Sequence, residues 1–279
     1  TEIYTLSLHD ALPISLLAAG LNDRMRNVRE AAVLSLGALH RNHPQAVAQA
    51  LAREPEAADQ ALADCLDSAR LQVVRAALRL VPLVAARHCL ERILPWLADE
   101  ELGREAAGAI LALGQPAVVS LMRDWSKQPE RMQAYLCYLA AETHTEEAIE
   151  PLLGALESDN QELVLAAAHA LGRLKVVAAL PPLTRILREG DDEPRRVAQE
   201  ALGALAEVYP EELLAVFSPL MEDPAAETRM AAIAVLGKGN FRIIRPMIFM
   251  ALKDDSPEVR QSAVAALGSN PDIEQLDAL

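Results

Sequence analysis

The sequence predicts an all-α fold: a right-handed α–α superhelix, an α-solenoid of about eight stacked helical hairpins. Three observations lead there. A ten-residue phrase returns along the chain, and its closing glycines 172, 203, 237 and 268 are 31, 34 and 31 residues apart. Hydrophobic residues make up 52% of the 279 positions but aromatics only 3%, so the apolar mass is Ala, Leu and Val, which favours closely packed helices over strands. Short acidic turns separate the apolar segments at the same spacing.

The phrase is the second helix of each hairpin. It reads Val28-Arg-Glu-Ala-Ala-Val-Leu-Ser-Leu-Gly37, then Leu163-Val-Leu-Ala-Ala-Ala-His-Ala-Leu-Gly172 and Pro194-Arg-Arg-Val-Ala-Gln-Glu-Ala-Leu-Gly203. It returns as Thr228-Arg-Met-Ala-Ala-Ile-Ala-Val-Leu-Gly237 and Val259-Arg-Gln-Ser-Ala-Val-Ala-Ala-Leu-Gly268, with weaker copies around Arg75, Arg104 and Arg131. Paired alanines let two helices approach closely, and the final glycine suits a left-handed C-cap. The turn before the phrase, as in Ser158-Asp159, Glu222-Asp223-Pro224 or Asp254-Asp255-Ser256-Pro257, offers a side-chain cap and a proline for the first turn. The first helices are apolar and carry Pro13, Pro95, Pro151, Pro181, Pro219 and Pro246, whose recurrence predicts a shared bend. A hairpin apolar on two sides must stack on its neighbours.

Taken together, an aspartate turn followed by Val-Arg-x-Ala-Ala-x-x-Ala-Leu-Gly resembles the HEAT-repeat superfamily, in particular its short bacterial, PBS-lyase-like variety. The resemblance spans roughly residues 11–279; it is strong near 16–39, 146–174 and 178–268, and it fades across 41–141. It implies that the arginine after valine pairs with acidic turn residues of adjacent units. Arg29, Arg75, Arg195, Arg229 and Arg260 are then a structural ladder, with Asp23, Asp159, Asp192, Asp223 and Asp255 as acceptors. An anion-binding arginine row is the alternative, interrupted where Val164 replaces the arginine. The resemblance also implies a protein–protein interaction or scaffold module without its own catalytic site, bacterial in type; the cysteines and the chain's ends add the expectation that it is cytoplasmic and part of a longer protein. A bilin lyase-like protein or another enzyme accessory is the alternative.

Residues 16–279 read as one solenoid. Asp272 to Leu279 looks like the first helix of a further repeat, cut short. Thr1 to Ser15 resembles a translated sequencing-adaptor read-through and reads as non-native, or else as a partial first helix through Ala11-Leu-Pro-Ile14.

Catalytic and metal patterns are not found, so no cofactor is expected. None of the six histidines is followed by glutamate, as di-iron enzymes of this architecture would require. His40 and His43 are a lone pair at metal-ligand spacing, without a third ligand. His88 and Cys89 are adjacent and so point about 100° apart on a helix. Cys65, Cys89 and Cys137 form no CxxC and read as small core residues in a reducing compartment. Net charge is −14, with 16 acidic and 14 basic residues in 1–140 against 24 and 12 in 141–279. Such a balance argues against nucleic acid, and no run of about 18 uncharged apolar residues offers a membrane span.

The expected partner is a protein or peptide on the concave face, which second helices usually line. The irregular stretch 115–145 holds Trp125, Tyr135 and Tyr138, three of nine aromatics. Tyr135 and Tyr138 share a helix face and are either interface anchors or fillers of a wider gap. Glu162, Glu193, Glu200 and Glu227 offer a second, acidic surface for a basic partner, or else serve solubility.

Overall fold

In the computed structural model, residues 8–239 and 241–269 are described, all helical or in turns. Residues 1–7 of the N-terminal segment and the expected final helix at 272–279 lie outside the described residues. The chain divides into two compact units, Thr1–Asp124 and Trp125–Leu279.

The first unit opens with α1 (Leu8–Ala19), which runs into a 3-10 turn at Gly20–Asn22, and α2 (Arg26–His40) packs against both. After α2 come α3 (Pro44–Leu51), α4 (Pro55–Leu66) and α5 (Leu71–Leu80). A short α6 (Leu90–Ile93), continued as a 3-10 helix over Leu94–Ala98, precedes α7 (Gly103–Leu113) and α8 (Gln115–Met122). The second helices α2, α5 and α7 pack side by side in one layer; α4, α6 and α8 follow one another in the other. Here lies the reason the repeat fades after residue 41. The additional helix α3 sits between α2 and α4 and lengthens the unit. The next first helix is broken at Pro95, behind an irregular stretch in which Ala86 adopts φ 53°. Helices α7 and α8 meet at 108° across Gly114, whose φ of 76° a side chain would strain.

The second unit starts with a 3-10 turn at Trp125–Lys127 and α9 (Glu130–Thr143). Four hairpins follow: α10 (Ile149–Ala155) with α11 (Gln161–Arg173), α12 (Leu180–Glu189) with α13 (Asp192–Ala206), α14 (Pro210–Phe217) with α15 (Ala226–Leu236), and α16 (Phe241–Ala251) with α17 (Pro257–Ser269). Helices α9, α11, α13, α15 and α17 form one continuous layer, each packed on the next, and α12, α14 and α16 align in the other. The core between layers is almost wholly aliphatic, with Leu136, Leu139, Leu171, Leu202 and Leu205 fully buried and Phe217 the largest side chain enclosed. Each such leucine contributes roughly 2 kcal/mol of burial.

Two sequence expectations are corrected. The closing glycines are not left-handed caps. Gly37, Gly172 and Gly237 have no positive φ, and a Cβ there would stand 2.9, 2.7 and 2.8 Å from Ala76, Ala201 and Ala266 of the next second helix. Glycine facing alanine sets the spacing of α2 on α5, α11 on α13 and α15 on α17, whereas a Cβ at Gly203 would meet the Lys238 side chain. The left-handed positions after α9 and α11 fall instead on His144 and Lys175. The recurrent prolines do not share a bend either. Pro13 and Pro246 lie inside helices, but Pro95 and Pro219 open 3-10 turns, and Pro151 and Pro181 sit in the first turn of α10 and α12. Proline there loses no intrahelical hydrogen bond, because first-turn amides have no helical acceptor.

Candidate functional site

The turns before the second helices share one hydrogen-bond plan. An aspartate or serine two residues before the N-cap accepts that residue's amide: Asp23 from Met25 at 2.8 Å, Ser68 from Arg70 at 3.3 Å, Ser158 from Asn160 at 3.0 Å and Asp223 from Ala225 at 2.9 Å. These side chains hold the turn rather than cap the helix. Asn160, which accepts from the Leu163 amide, is the side-chain cap of α11.

The phrase arginine closes the same turn. Arg29 donates to the carbonyls of Asp23 and Arg24 at 2.9 and 3.2 Å, Arg229 to those of Asp223 and Pro224 at 2.7 and 3.2 Å, and Arg260 to those of Asp254 and Asp255 at 2.7 and 2.9 Å. Four of the five phrase arginines also reach forward to an acid. Arg29 pairs with Asp64 at 3.1 Å, Arg75 with Glu105 and Glu101 at 3.3 and 3.6 Å, and Arg195 with Glu227 at 3.2 Å. Arg229 grips both carboxylate oxygens of Asp254 at 2.8 Å. So Asp223 and Asp255 serve through carbonyl oxygens, and Asp159 is exposed and pairs with no arginine among the described residues.

Where Val164 replaces the arginine, Glu130 of α9 takes over, accepting from Ser158 Oγ at 3.2 Å and Asn160 Nδ2 at 2.9 Å. Glu30 does the same in the first unit, accepting from Ser68 Oγ at 3.0 Å and Arg70 at 3.4 Å. Sequence reasoning missed both glutamates. Their signal is the serine two residues ahead of the next second helix.

The Arg229 hydrogen bonds hold the Asp254 carboxyl below its ordinary 3.8. A depressed folded value means stability that is present above 3.8 and is lost as pH falls below it through the folded value. Acid titration of the wild type is expected to show this loss, and Asp254→Asn is expected to remove that component.

A buried acid also went unnoticed in the sequence. Asp59 of α4 is 2% exposed. Its Oδ2 accepts from the His88 amide at 3.0 Å and lies 2.9 Å from His88 Nδ1; its Oδ1 accepts from Cys89 Sγ at 3.1 Å. His88 and Cys89 thus face not each other but one carboxylate, which ties the irregular stretch before α6 to α4. Burial and the Asp59 bond push the Cys89 thiol up, and burial pushes Cys65 and Cys137 up to about 12. A thiol held protonated is a poor nucleophile. None of the three cysteines is expected to react with a disulfide reagent at neutral pH in the native protein, while all three react in denaturant. Neither His40 with His43 nor any other set of three His, Cys, Asp or Glu side chains among the described residues is grouped to hold a metal ion.

Of the three aromatics, Tyr138 is 47% exposed on α9, whereas Tyr135 and Trp125 are half-buried. The Trp125 carbonyl accepts from Gln133 Nε2 at 2.9 Å, fixing the turn against α9. At the far end Glu142 and Arg173 pair at 2.9 Å across α9 and α11. One turn before each, Tyr138 and His169 are both exposed. Glu162, Glu193, Glu200 and Glu227 are exposed on α11, α13 and α15 of the same layer.

The profile of the HEAT repeats matches residues 126–203 and 214–279, just over half of the chain. The chain belongs to the HEAT-repeat family. The matched HEAT repeats lie within the second unit. No match was found among curated proteins. Solved structures similar to it include an engineered protein at 19% identity and TM-score 0.43, covering 95% of this chain and 80% of that one. A computationally designed armadillo repeat protein for modular peptide recognition is 17% identical with TM-score 0.32, covering 91% and 98%. A designed armadillo repeat protein in complex with the peptide (KR)4 is 16% identical with TM-score 0.33, over the same shares. No single described helix is long and apolar enough to cross a membrane.

Proposed function

We propose that this HEAT-repeat chain is a protein-binding scaffold module without its own catalytic site. Its second-helix layer in the second unit is the recognition surface, a protein or peptide its partner, and Tyr138, with the half-buried Tyr135 and Trp125, the anchor. The observation that carries this reading is the 47% exposure of Tyr138, an aromatic side chain on the second-helix layer of the second unit. Amphipathic aromatics on a rigid helical layer supply contact area at low entropic cost. Three unpaired, buried thiols fit a reducing, cytoplasmic setting.

Tyr138→Ser is expected to abolish retention of partner proteins on the immobilised chain while stability changes by no more than about 0.5 kcal/mol, as for a surface substitution. Tyr135→Ser, in the half-buried position, is expected to cost about 1–2 kcal/mol of stability. If Tyr138→Ser lowers the melt and leaves retention intact, the ring is packing and the anchor lies elsewhere. A purified protein coloured by bound pigment would favour the enzyme-accessory alternative.

A further inference from the structure

The second-helix layer of the first unit differs in character from that of the second. Helix α5 buries Val73, Val74, Ala76, Ala77, Leu78 and Leu80, so its outward side consists of Leu71, Gln72, Arg75 and Arg79. On α7 the corresponding side carries Arg104 and, one turn on, Gly108. Arg75 lies within 3.3 Å of Glu105, which places the start of α7 beside the middle of α5. The carboxylates of α2, α5 and α7 are Glu30 and Glu105, and both are already engaged. Arg79 and Arg104 have no hydrogen-bond or ion-pair partner among the described residues. Exposed aliphatic side chains stand at the starts of the same helices: Met25 and Val28 at α2 and Leu71 at α5. Arg26 donating to the Asp67 carbonyl at 2.9 Å holds those two starts together.

We propose that this face of the first unit docks an acidic segment of a partner protein that carries aliphatic side chains. Charge complementarity argues for it. In a chain of net charge −14, helices α2, α5 and α7 leave Arg79 and Arg104 unpaired while their own two carboxylates are engaged, and the free acid nearest in sequence is Glu100, in the turn before α7. Unpaired surface guanidinium groups recognise carboxylates through paired donors. Met25, Val28 and Leu71 supply apolar contact that a bare polyanion does not use. Gly108 leaves the α7 surface open, since a Cβ there would meet nothing within 4 Å.

The test uses the full chain and fluorescence anisotropy with a labelled peptide of repeated Glu-Glu-Leu units. Saturable binding that weakens with salt is expected, with a Lys-Lys-Leu peptide failing to bind. Arg79→Glu combined with Arg104→Glu is expected to weaken binding by at least about tenfold, because like charges then face the peptide. Gly108→Leu, whose Cβ meets nothing within 4 Å, is expected to weaken binding without lowering the melt. The proposal is overturned by no saturable binding, by equal binding of the lysine peptide, by an unchanged affinity in the charge-reversed chain, or by tighter binding of a single-stranded oligonucleotide.

Discussion

Gly172→Leu is expected to cost about 3 kcal/mol, the upper end of what overpacking does to a well-packed interior. A Cβ at residue 172 would lie 2.7 Å from Ala201 Cα and 2.8 Å from its Cβ, so the obstacle is partly backbone, which does not swing aside. The two second helices must then separate along the layer that joins α11 to α13. In a repeat array each interface couples one hairpin to the next, so a weakened interface also lowers cooperativity. Denaturant unfolding followed by circular dichroism is expected to show an earlier and broader transition. Gly154→Ala is the counterpart. Nothing stands within 4 Å of a Cβ there, and replacing a helical glycine is expected to raise stability by up to about 1 kcal/mol. If both substitutions behaved alike, glycine–alanine contact would not be what spaces the repeats.

Arg229→Met is expected to cost about 3 kcal/mol, because it strands a largely buried carboxylate. The side chains of Arg229 and Asp254 are 14% and 13% exposed, the most enclosed ion pair of the ladder, and Arg229 also satisfies the Asp223 and Pro224 carbonyls. Adding Asp254→Leu is expected to recover part of the loss, since the unpaired charge is then gone while the turn carbonyls stay unsatisfied. Arg195→Met gives the comparison. Its partner Glu227 is 73% exposed, and the loss there is expected to stay below about 1 kcal/mol. Equal losses at the two sites would mean that the arginine acts through its turn alone.

The fold was legible because two signals agree in this chain. The phrase ending in Ala-Leu-Gly or Val-Leu-Gly marks α11, α13, α15 and α17 of the second unit, with Val164 standing for the arginine in α11, and the acidic turns mark where each begins. What each residue does inside the repeat was less legible. A glycine at the end of a periodic phrase has the same one-letter signature as a C-cap, but its meaning depends on the facing Ala76 or Ala201 in another repeat. The ladder acceptors Asp64, Glu105 and Asp254 sit 35, 30 and 25 residues beyond their arginines, so no fixed offset in the sequence picks them out. Asp59 was invisible for a similar reason. Its partners His88 and Cys89 lie 29 and 30 residues on, in a stretch where the repeat pattern fails. Among the candidate anchors, the three-residue spacing put Tyr135 and Tyr138 on one face but did not say which of them reaches solvent. That depends on how closely α11 packs against α9.

Site-specific photocrosslinking tests the central claim, that the second-helix layer of the second unit is a protein-recognition surface. Photoreactive benzoylphenylalanine would replace Tyr138 in one version of the chain and Arg185, exposed on first helix α12, in another. The account predicts a discrete, saturable protein adduct from position 138, competed by excess unmodified chain, and none from position 185. Adducts of equal yield from both positions, or from position 185 alone, would contradict it.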